Sequence, residues 1–457
     1  MRIFNYKFSI FKRQKAVVRG VQLKIENCKL EIFRNRNGQS LIEVVIGLAI
    51  GSILIGASAF AISTMLQTNL ASQKGQAATA FAQELLNKAR VYGSASWQSL
   101  YGLTKASSTQ YFLNASGTTY AVVKGKEGAL DNDVTNGLVG EWKFDEDAGT
   151  TSTQTYDASG NGNNGTLTSG AARATSTCRI ANCISFATGT GSYVNVPDAS
   201  TLNFGTSSFT IAAWVNRTAS GTNIILGKRV YPPGYIIYFT GTQLVLQVND
   251  ASPNAYVVGA YTDYNNWHHI AVVVNRSTNT AYYYLDGALQ GTGTALNPAT
   301  GSVNNSGYLG MGRDQSDGGS LFGGNLDDVR LYNRALSADE VRQLWNSNVF
   351  LRYFYVENTC RTNDASSSIS GVAPCGGGSA DDPSTQKVTA VTQWTTGQGA
   401  GFTSLSDYLT RWKNTIFRQT DWSGGGGATN PVTSPGSTFS SSSGANFSGG
   451  SIRIQGL

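Results

Sequence analysis

A long apolar run follows the sequence Gly38-Gln39-Ser40-Leu41-Ile42-Glu43 and continues to Leu66. Glu43 is the one charged residue in positions 41–66. A transmembrane helix needs about 20 apolar residues, so this segment is long enough to cross a bilayer. A carboxylate in such surroundings is costly unless another group pairs with it, and no basic residue follows Glu43 until Lys74. We therefore expect the partner of Glu43 to come from outside this segment.

Beyond Leu66 the pattern becomes amphipathic. Apolar residues recur at near-helical spacing up to Ala89, and polar residues cover the other face until Gly93 and Ser94. The pattern predicts one helix of about 50 residues over positions 39–93, half of it in lipid and half under a folded head.

The remaining chain is predicted to be rich in strands. Short strands are indicated at 110–113 and 118–123, and again at 350–356 and 387–394. Between them, from Leu138, short aromatic-rich strands separated by turns are typical of a β-sandwich, and Ser337-Ala338-Asp339-Glu340 predicts a capped helix that closes it. Residues 404–418 fit helical and strand spacing equally, and residues 423–451 are a Gly/Ser/Thr-rich linker-like tail.

Charge and cysteine content indicate an extracytoplasmic protein. Residues 1–38 hold ten of the 34 basic residues and two of the 28 acidic residues, so the rest of the chain has a net charge of −2. Basic flanks stay in the cytoplasm, which places everything after Leu66 outside, and the net charge of +6 does not indicate nucleic-acid binding.

Four cysteines remain after Cys28, in two close pairs, Cys178 with Cys183 and Cys360 with Cys375. This arrangement suits disulfides in an oxidising compartment. Zinc is disfavoured, because neither pair is C-x-x-C and the chain has only two histidines, His268 and His269.

The stretch around Gly38 resembles the processing site of type IV prepilins. The resemblance implies cleavage after Gly38 by a prepilin peptidase and methylation of the new amine on Gln39, where the family usually has phenylalanine. It also implies that the helix packs into a filament core with other pilin subunits, and that the amine of one subunit neutralises Glu43 of its neighbour. An ordinary signal anchor, or a secretory signal cut after Ala59-Phe60-Ala61, remains an alternative.

Residues 138–349 resemble the laminin-G-like, concanavalin A-like jelly rolls. The matching segments are residues 140–146 (GEWKFDE), 157–165 (DASGNGNNG), 266–272 (NWHHIAV) and 324–337 (GNLDDVRLYNRALS). We therefore expect an α+β protein, in which a long pilin helix carries a small antiparallel-sheet head that an all-β jelly roll interrupts. The expected parts are a leader (1–38), the helix (39–93), the head in two pieces (94–137 and 350–422), the inserted jelly roll (138–349) and the tail (423–457).

Four acidic residues in the jelly roll are candidate calcium ligands. Asp145, Asp157, Asp327 and Asp328 lie on the first strand, the glycine-rich loop and the last strand, which the fold brings together, and calcium prefers carboxylate and carbonyl oxygens. Solvated turn residues are the alternative. Catalysis is not expected, because the strands lack the clustered carboxylate pair that glycoside hydrolysis needs.

These observations predict a surface filament subunit that displays a lectin-like module for adhesion or for binding glycans or another surface. The chain would be membrane-anchored before assembly into an extracellular filament. A monomeric membrane-anchored adhesin is the alternative, and a secreted carbohydrate-active enzyme is a weaker one. Tyr231, Tyr235, Tyr256 and Tyr261 are candidates for stacking on sugars, or equally for the sandwich core.

Overall fold

The structure is a computed structural model that describes residues 41–411, apart from short gaps, and the segments 445–446 and 453–454. The gaps are residues 117–118, 150–151, 169, 188, 190, 231–232, 250–253, 297–300, 317–319, 363–368, 378 and 397–398. The expected leader, Gly38 and Gln39 lie outside the described residues, as does most of the tail. The chain divides into two units, Met1–Thr68 and Asn69–Leu457.

The predicted long helix is present as α1, Leu41–Ala95. Its apolar part is long and apolar enough to cross a membrane, and none of the most apolar window is buried. Leu41 and Phe60, for example, are 81% and 75% exposed. Beyond Thr68 one face of α1 becomes buried at helical spacing, with the buried residues Ala78, Ala82, Leu85, Leu86, Ala89 and Gly93. A short helix, α2 (Trp97–Tyr101), follows.

The buried face of α1 packs on an antiparallel sheet, which we call the head sheet. Its strands run in the order β2-β1-β20-β22-β23, with β3 and β21 also paired to β20. Their bounds are β1 Tyr111–Ser116, β2 Thr119–Lys124, β3 Glu127–Leu130, β20 Val349–Arg361, β21 Gly371–Val372, β22 Ala380–Thr396 and β23 Gly399–Thr410. The ambiguous segment at 404–418 is therefore strand as far as Thr410. The helix and sheet enclose a core that includes Leu85, Leu86, Tyr111, Leu113, Phe354, Val356, Val388, Ala390 and Leu409.

The chain between β3 and β20 forms a sandwich of two antiparallel sheets. One sheet has the order β17-β16-β15-β10-β19-β8-β7, with β4 paired to β19, and the other has the order β14-β13-β12-β11-β18-β9-β6-β5. The strands are β4 Leu138–Trp142, β5 Gln154–Thr155, β6 Gly165–Thr168, β7 Ala172–Ala174, β8 Cys183–Phe186, β9 Tyr193–Val196, β10 Phe209–Arg217, β11 Asn223–Arg229, β12 Gly234–Thr240, β13 Gln243–Asn249, β14 Ala255–Ala260, β15 Trp267–Asn275, β16 Thr280–Leu285, β17 Ala288–Ala295, β18 Leu309–Met311 and β19 Gly324–Tyr332. Outside these domains, β24 (Ala445–Asn446) pairs with β25 (Arg453–Ile454). The fold class predicted from the sequence is confirmed.

The sandwich buries both faces of its central strands. Along β10, Ile211 and Val215 point into the core between the two sheets, whereas Ala212 and Trp214 point to the opposite face. That second face is covered by α3, Ala338–Asn346, whose Val341 and Leu344 are buried there. The predicted capping box is formed: the Ser337 hydroxyl accepts from the Glu340 amide, and the Glu340 carboxylate accepts from the Ser337 amide.

The sandwich is inserted at a closed hairpin of the head sheet. Strands β3 and β20 pair antiparallel, and Leu130, the last residue before the insert, is the register partner of Val349, the first residue after it. The Asp131 amide donates to the Asn348 carbonyl at 3.2 Å, which closes the base of the insert. An insertion with adjacent ends at a surface turn leaves the host sheet intact.

A chain of buried ion pairs joins the head sheet to the insert. We call it the junction ion chain; its members are Glu84, Glu127, Asp133, Glu141, Lys143, Asp328, Arg330 and Arg352. Arg352 contacts Glu84 of α1 at 2.8 Å and Glu127 of β3 at 2.7 Å. Lys143 contacts the other oxygen of Glu127 at 2.9 Å.

The junction ion chain continues into the sandwich through one guanidinium. Arg330 contacts Glu141 at 2.6 Å and Asp328 at 3.0 Å, and it also pairs with Asp133. Burial alone would raise the pKa of Glu127, but Arg352 and Lys143 outweigh it and hold this pKa below its usual value. Glu127 is therefore charged, whereas burial of Glu141 outweighs the charges of Arg330 and Lys143 and raises the pKa of Glu141.

Glycines allow the close approach at this junction. A Cβ on Gly128 would lie 2.3 Å from the Ile180 side chain, and one on Gly125, whose φ is +133°, would lie 2.5 Å from the Asp145 carbonyl oxygen. The strand β3 can thus lie directly against the insert because two of the neighbouring positions carry no side chain.

Replacing Arg330 with methionine should strongly destabilise the junction. The substitution leaves Glu141 and Asp328 buried without their base, and breaking a buried pair in this way costs about 3–5 kcal/mol. The free energy of unfolding of the full chain in detergent, measured by denaturant titration, tests this expectation.

Arg342→Met is the matched control, because the Arg342–Asp339 pair is 59% and 90% exposed and exposed pairs contribute at most about 1 kcal/mol. Equal stability of Arg330→Met and Arg342→Met would show that the junction ion chain does not hold the insert in place.

Candidate functional site

The assembly residues predicted from the sequence lie at the start of α1. Glu43 is exposed in the first turn of the helix, on a surface of apolar side chains that are also exposed. A carboxylate near a helix N-terminus is favoured by the helix dipole. The processing residues Gly38 and Gln39 precede the described part of the chain.

Both predicted disulfides are formed. Cys178 pairs with Cys183 across five positions, next to β8, and Cys360 pairs with Cys375 at the end of β20. Each closes a short loop, and a short loop gains stability near the lower end of the usual ~2–4 kcal/mol.

Three of the four candidate calcium ligands, Asp145, Asp327 and Asp328, line one small cavity. Asp145 and Asp327 line a space of about 10 Å³ beneath β3, close to the volume that holds one water molecule. One oxygen of Asp145 accepts from the Gly128 amide at 2.6 Å, and one oxygen of Asp327 accepts from the Ile180 amide at 2.8 Å. The other oxygen of Asp327 is buried and has no hydrogen-bond partner among the described residues.

Both carboxyl groups are electrostatically unfavourable when charged. Burial raises the pKa of Asp145 and of Asp327 well above the usual range, and the charge of Asp145 raises that of Asp327 further. Lys143 and Arg330 also line the cavity, but they are already engaged by Glu127, Glu141, Asp133 and Asp328 in the junction ion chain. Without a bound cation, burial therefore favours the neutral form of both carboxyl groups.

The other two candidate ligands, Asp157 and Asp328, make further contacts of their own. The Asp157 carboxylate accepts from the backbone amides of Glu141, Ser159 and Asn163, so it orders the glycine-rich loop. Asp328 also lines the cavity, but it is paired with Arg330. In the part of the chain that the structure describes, no group of three or more His, Cys, Asp or Glu residues is arranged to hold a metal ion.

The tyrosines considered for sugar stacking are mostly core residues. Tyr235 and Tyr261 are 0% and 1% exposed and lie in the core between the sheets, where Tyr256 packs against them. Tyr231 lies outside the described residues. Tyr235 and Tyr261 are therefore residues of the sandwich core and not sugar-stacking residues, because β12 and the segment after β14 face the opposite sheet.

The two histidines are held by local contacts. Both ring nitrogens of His268 face carboxylates, Asp286 at 2.7 Å and Asp263 at 3.0 Å. His269 is buried against the edge of the Trp214 ring. Burial lowers the pKa of His269 to about 3, so this ring is neutral and acts as a core residue.

Sequence reasoning missed the junction ion chain, although one signal was present. Glu141, Lys143 and Asp145 alternate with Trp142 and Phe144, which are buried in the sandwich core. Glu141 and Lys143 join the junction ion chain, and Asp145 accepts from the Gly128 amide of β3. A row of alternating charges beside a buried tryptophan would have indicated contact with another charged layer.

Comparison with known families assigns the two parts of the chain. Residues 33–59 match the model of the prokaryotic N-terminal methylation motif, and residues 188–342 match the model of the concanavalin A-like lectin/glucanases superfamily. Among curated proteins no match was found. The chain thus carries the type IV pilin motif and a concanavalin A-like domain, as the sequence predicted.

Several solved structures resemble the chain at low identity. The binding domain of Paraclostridial Mosquitocidal Protein 1 is 18% identical over 58% of this chain and 72% of that chain, with a TM-score of 0.39. A second structure is domain 4 of AbnA, a GH43 extracellular arabinanase from Geobacillus stearothermophilus, in complex with arabinotriose. It is 17% identical over 46% of this chain and 98% of that chain, with a TM-score of 0.36. Trypanosoma rangeli sialidase is 19% identical over 46% of this chain and 33% of that chain, with a TM-score of 0.34. Similarity at this level carries no argument about function.

We propose that Asp145 and Asp327 hold a calcium ion. The cavity has room for one species of this size, and one oxygen of Asp327 is buried without a hydrogen-bond partner among the described residues. A bound cation would offset the cost of ionising the two buried carboxyl groups. The melting temperature of the chelator-treated full chain in detergent should therefore rise with added calcium, because a ligand bound by the native state stabilises it.

Asp145→Asn and Asp327→Asn should each reduce or abolish that rise. Asp339→Asn, at a 90% exposed acid on α3, is the matched control and should respond like the unsubstituted chain. Identical melting curves in chelator and in millimolar calcium would exclude a calcium site here.

Proposed function

We propose that this chain is a subunit of a type IV pilin-like surface filament that displays its jelly roll as an adhesion module for glycans or another surface. The observation that carries the proposal is the methylation motif at residues 33–59, which runs directly into the unburied apolar part of α1. The alternative is a monomeric membrane-anchored adhesin, which would lack cleavage after Gly38.

The exposed apolar surface of α1 supports assembly. A helix that is apolar all round needs lipid or other helices as its surroundings. Gly47, Gly51 and Gly56 leave open space where a Cβ would lie, and small residues permit close helix packing in membranes. Packed against its neighbours, such a helix would bring Glu43 beside the N-terminal amine of another subunit.

The position of the insert supports display. It leaves and re-enters the head sheet at register partners, so the head fold does not require it topologically. The junction ion chain then fixes the insert on the head and limits its swinging. We propose binding and not catalysis, since the carboxylate pair Asp145–Asp327 shares a cavity of about 10 Å³, too small for a sugar ring.

Glu43→Leu should leave membrane insertion and cleavage intact but reduce filament yield strongly. The substitution removes a charge from lipid, yet it also leaves the amine of the neighbouring subunit without a partner in an apolar core. Electron microscopy of sheared filaments and mass analysis of the N-terminus, expected to be N-methylated Gln39, give the two readouts.

Glu43→Asp keeps the carboxylate and should restore part of the yield. Normal filaments from Glu43→Leu, or a chain that retains its leader in the membrane, would favour the monomeric adhesin instead.

Replacing residues 131–348 with a short Gly/Ser turn should leave filaments but remove adhesion. The turn closes β3 and β20 as an ordinary hairpin, and Arg352 still neutralises Glu127. Filament counts and attachment of cells to host or glycan-coated surfaces are measured together. Loss of filaments from a stable, cleaved protein would place the insert in the assembly interface and contradict its role as a displayed module.

A further inference from the structure

A groove of about 470 Å³ lies between the head and the insert. One wall comes from the end of α1 and the head sheet, with Tyr92 and Lys124, and the other comes from the insert, with Glu146, Tyr156 and Arg173. All these residues belong to the second unit of the chain. Its volume is within the range of small-molecule sites, roughly 300–1,000 Å³.

The groove is lined by aromatic and polar groups together. Tyr92 and Tyr156 are half-buried, so each presents part of a ring beside its hydroxyl group. Lys124 and Gln154 are exposed and supply a charged donor and an amide. Proteins recognise a sugar through aromatic ring faces, which contact its C–H groups, and through hydrogen-bond donors and acceptors, which contact its hydroxyl groups.

The insert wall is built around a loosely matched ion pair. Arg173 Nε and Glu146 Oε2 are 3.5 Å apart, and neither atom has a hydrogen-bond partner among the described residues. Both side chains are more than nine-tenths buried, at 6% and 4% exposure. The pair therefore lies behind the surface of the groove and supports its wall.

Other contacts hold that pair in place. The second oxygen of Glu146 accepts from the Thr155 hydroxyl at 2.9 Å and from the Tyr156 amide at 2.8 Å. Arg173 donates to the carbonyls of Ser152, at 2.7 Å, and Gln154. Burial and the Glu146 charge raise the pKa of Tyr156, which keeps its hydroxyl protonated as a donor.

The groove exists only because the insert sits on this head. Tyr92 and Lys124 come from the host, whereas Tyr156 and Arg173 come from the insert, and neither part alone has both walls. The isolated bridge between Gly125 and Glu146 fixes the spacing of the two walls. A ligand bound here would contact both parts at once.

We infer that this composite groove binds an oligosaccharide. The inference rests on the proposed adhesive function and names the site for it. Tyr156 would stack on a sugar ring, and the exposed side chains of Lys124 and Gln154 would hydrogen-bond its hydroxyl groups, while the buried Glu146–Arg173 pair would hold the wall in place. A ligand with a carboxylate would also contact Lys124, so neutral and acidic sugars share the site but differ in their dependence on that lysine.

The test uses the full chain in detergent and intact filaments on an array of neutral and acidic glycans. Tyr156→Ala should weaken the best ligand about tenfold or more, while Tyr156→Phe, which keeps the ring, should retain most of the affinity. Lys124→Ala should weaken acidic glycans more than neutral ones. Phe402→Ala, a 73% exposed aromatic on β23 outside the groove, is the matched control.

The outcomes separate the groove from the proposed function. If Tyr156→Ala and Lys124→Ala leave glycan binding unchanged, the groove is not the binding site, but the proposed adhesive function still stands. An unsubstituted chain that binds no glycan would overturn the groove, and the attachment assay with residues 131–348 replaced would then decide whether the module adheres through another ligand. Should Tyr156→Ala not fold, undiminished binding of acidic glycans by Lys124→Ala would equally overturn the proposal.

Discussion

The arrangement of the folded part of this protein depends on the buried contact between Glu127 and its two bases. Arg352 approaches one oxygen of this carboxylate from the head sheet, and Lys143 approaches the other from the insert. The insert is covalently attached only through two adjacent ends, so a single hairpin base would allow it to swing. A charged group that both parts must desolvate together fixes one orientation, because any other would leave a buried charge unpaired.

That fixed orientation has two structural consequences. It brings β3 over Asp145 and Asp327, whose carboxyl groups share a cavity, and it brings Tyr92 and Lys124 opposite Tyr156 and Arg173. Both arrangements are assembled from residues of the head and of the insert. The insert is therefore part of a composite surface, although the topology of the head sheet is complete without it.

The two parts of the long helix have different surfaces. Its first part exposes apolar side chains on all sides, whereas its second part buries one stripe of small and branched residues against the head sheet. The change of pattern follows the change of surroundings, from lipid or neighbouring helices to one sheet face. Assembly through the first part would leave the head free to carry an insert as large as this sandwich.

The sequence alone determined the features that depend on local order. The apolar run, the helix from Leu41 to Ala95, the sandwich strands, the capping box at Ser337 and the two disulfides all follow from residue patterns over short distances. Tertiary structure decided which side chains of similar type are buried, paired or free. Tyr235 became core while Tyr156 lines a groove, and Asp157 satisfies backbone amides while Asp327 keeps a free oxygen. Partners such as Glu127 and Arg352 are 225 positions apart, so only the pairing of β3 with β20 on either side of the insert, and no periodicity in the chain, brings them together.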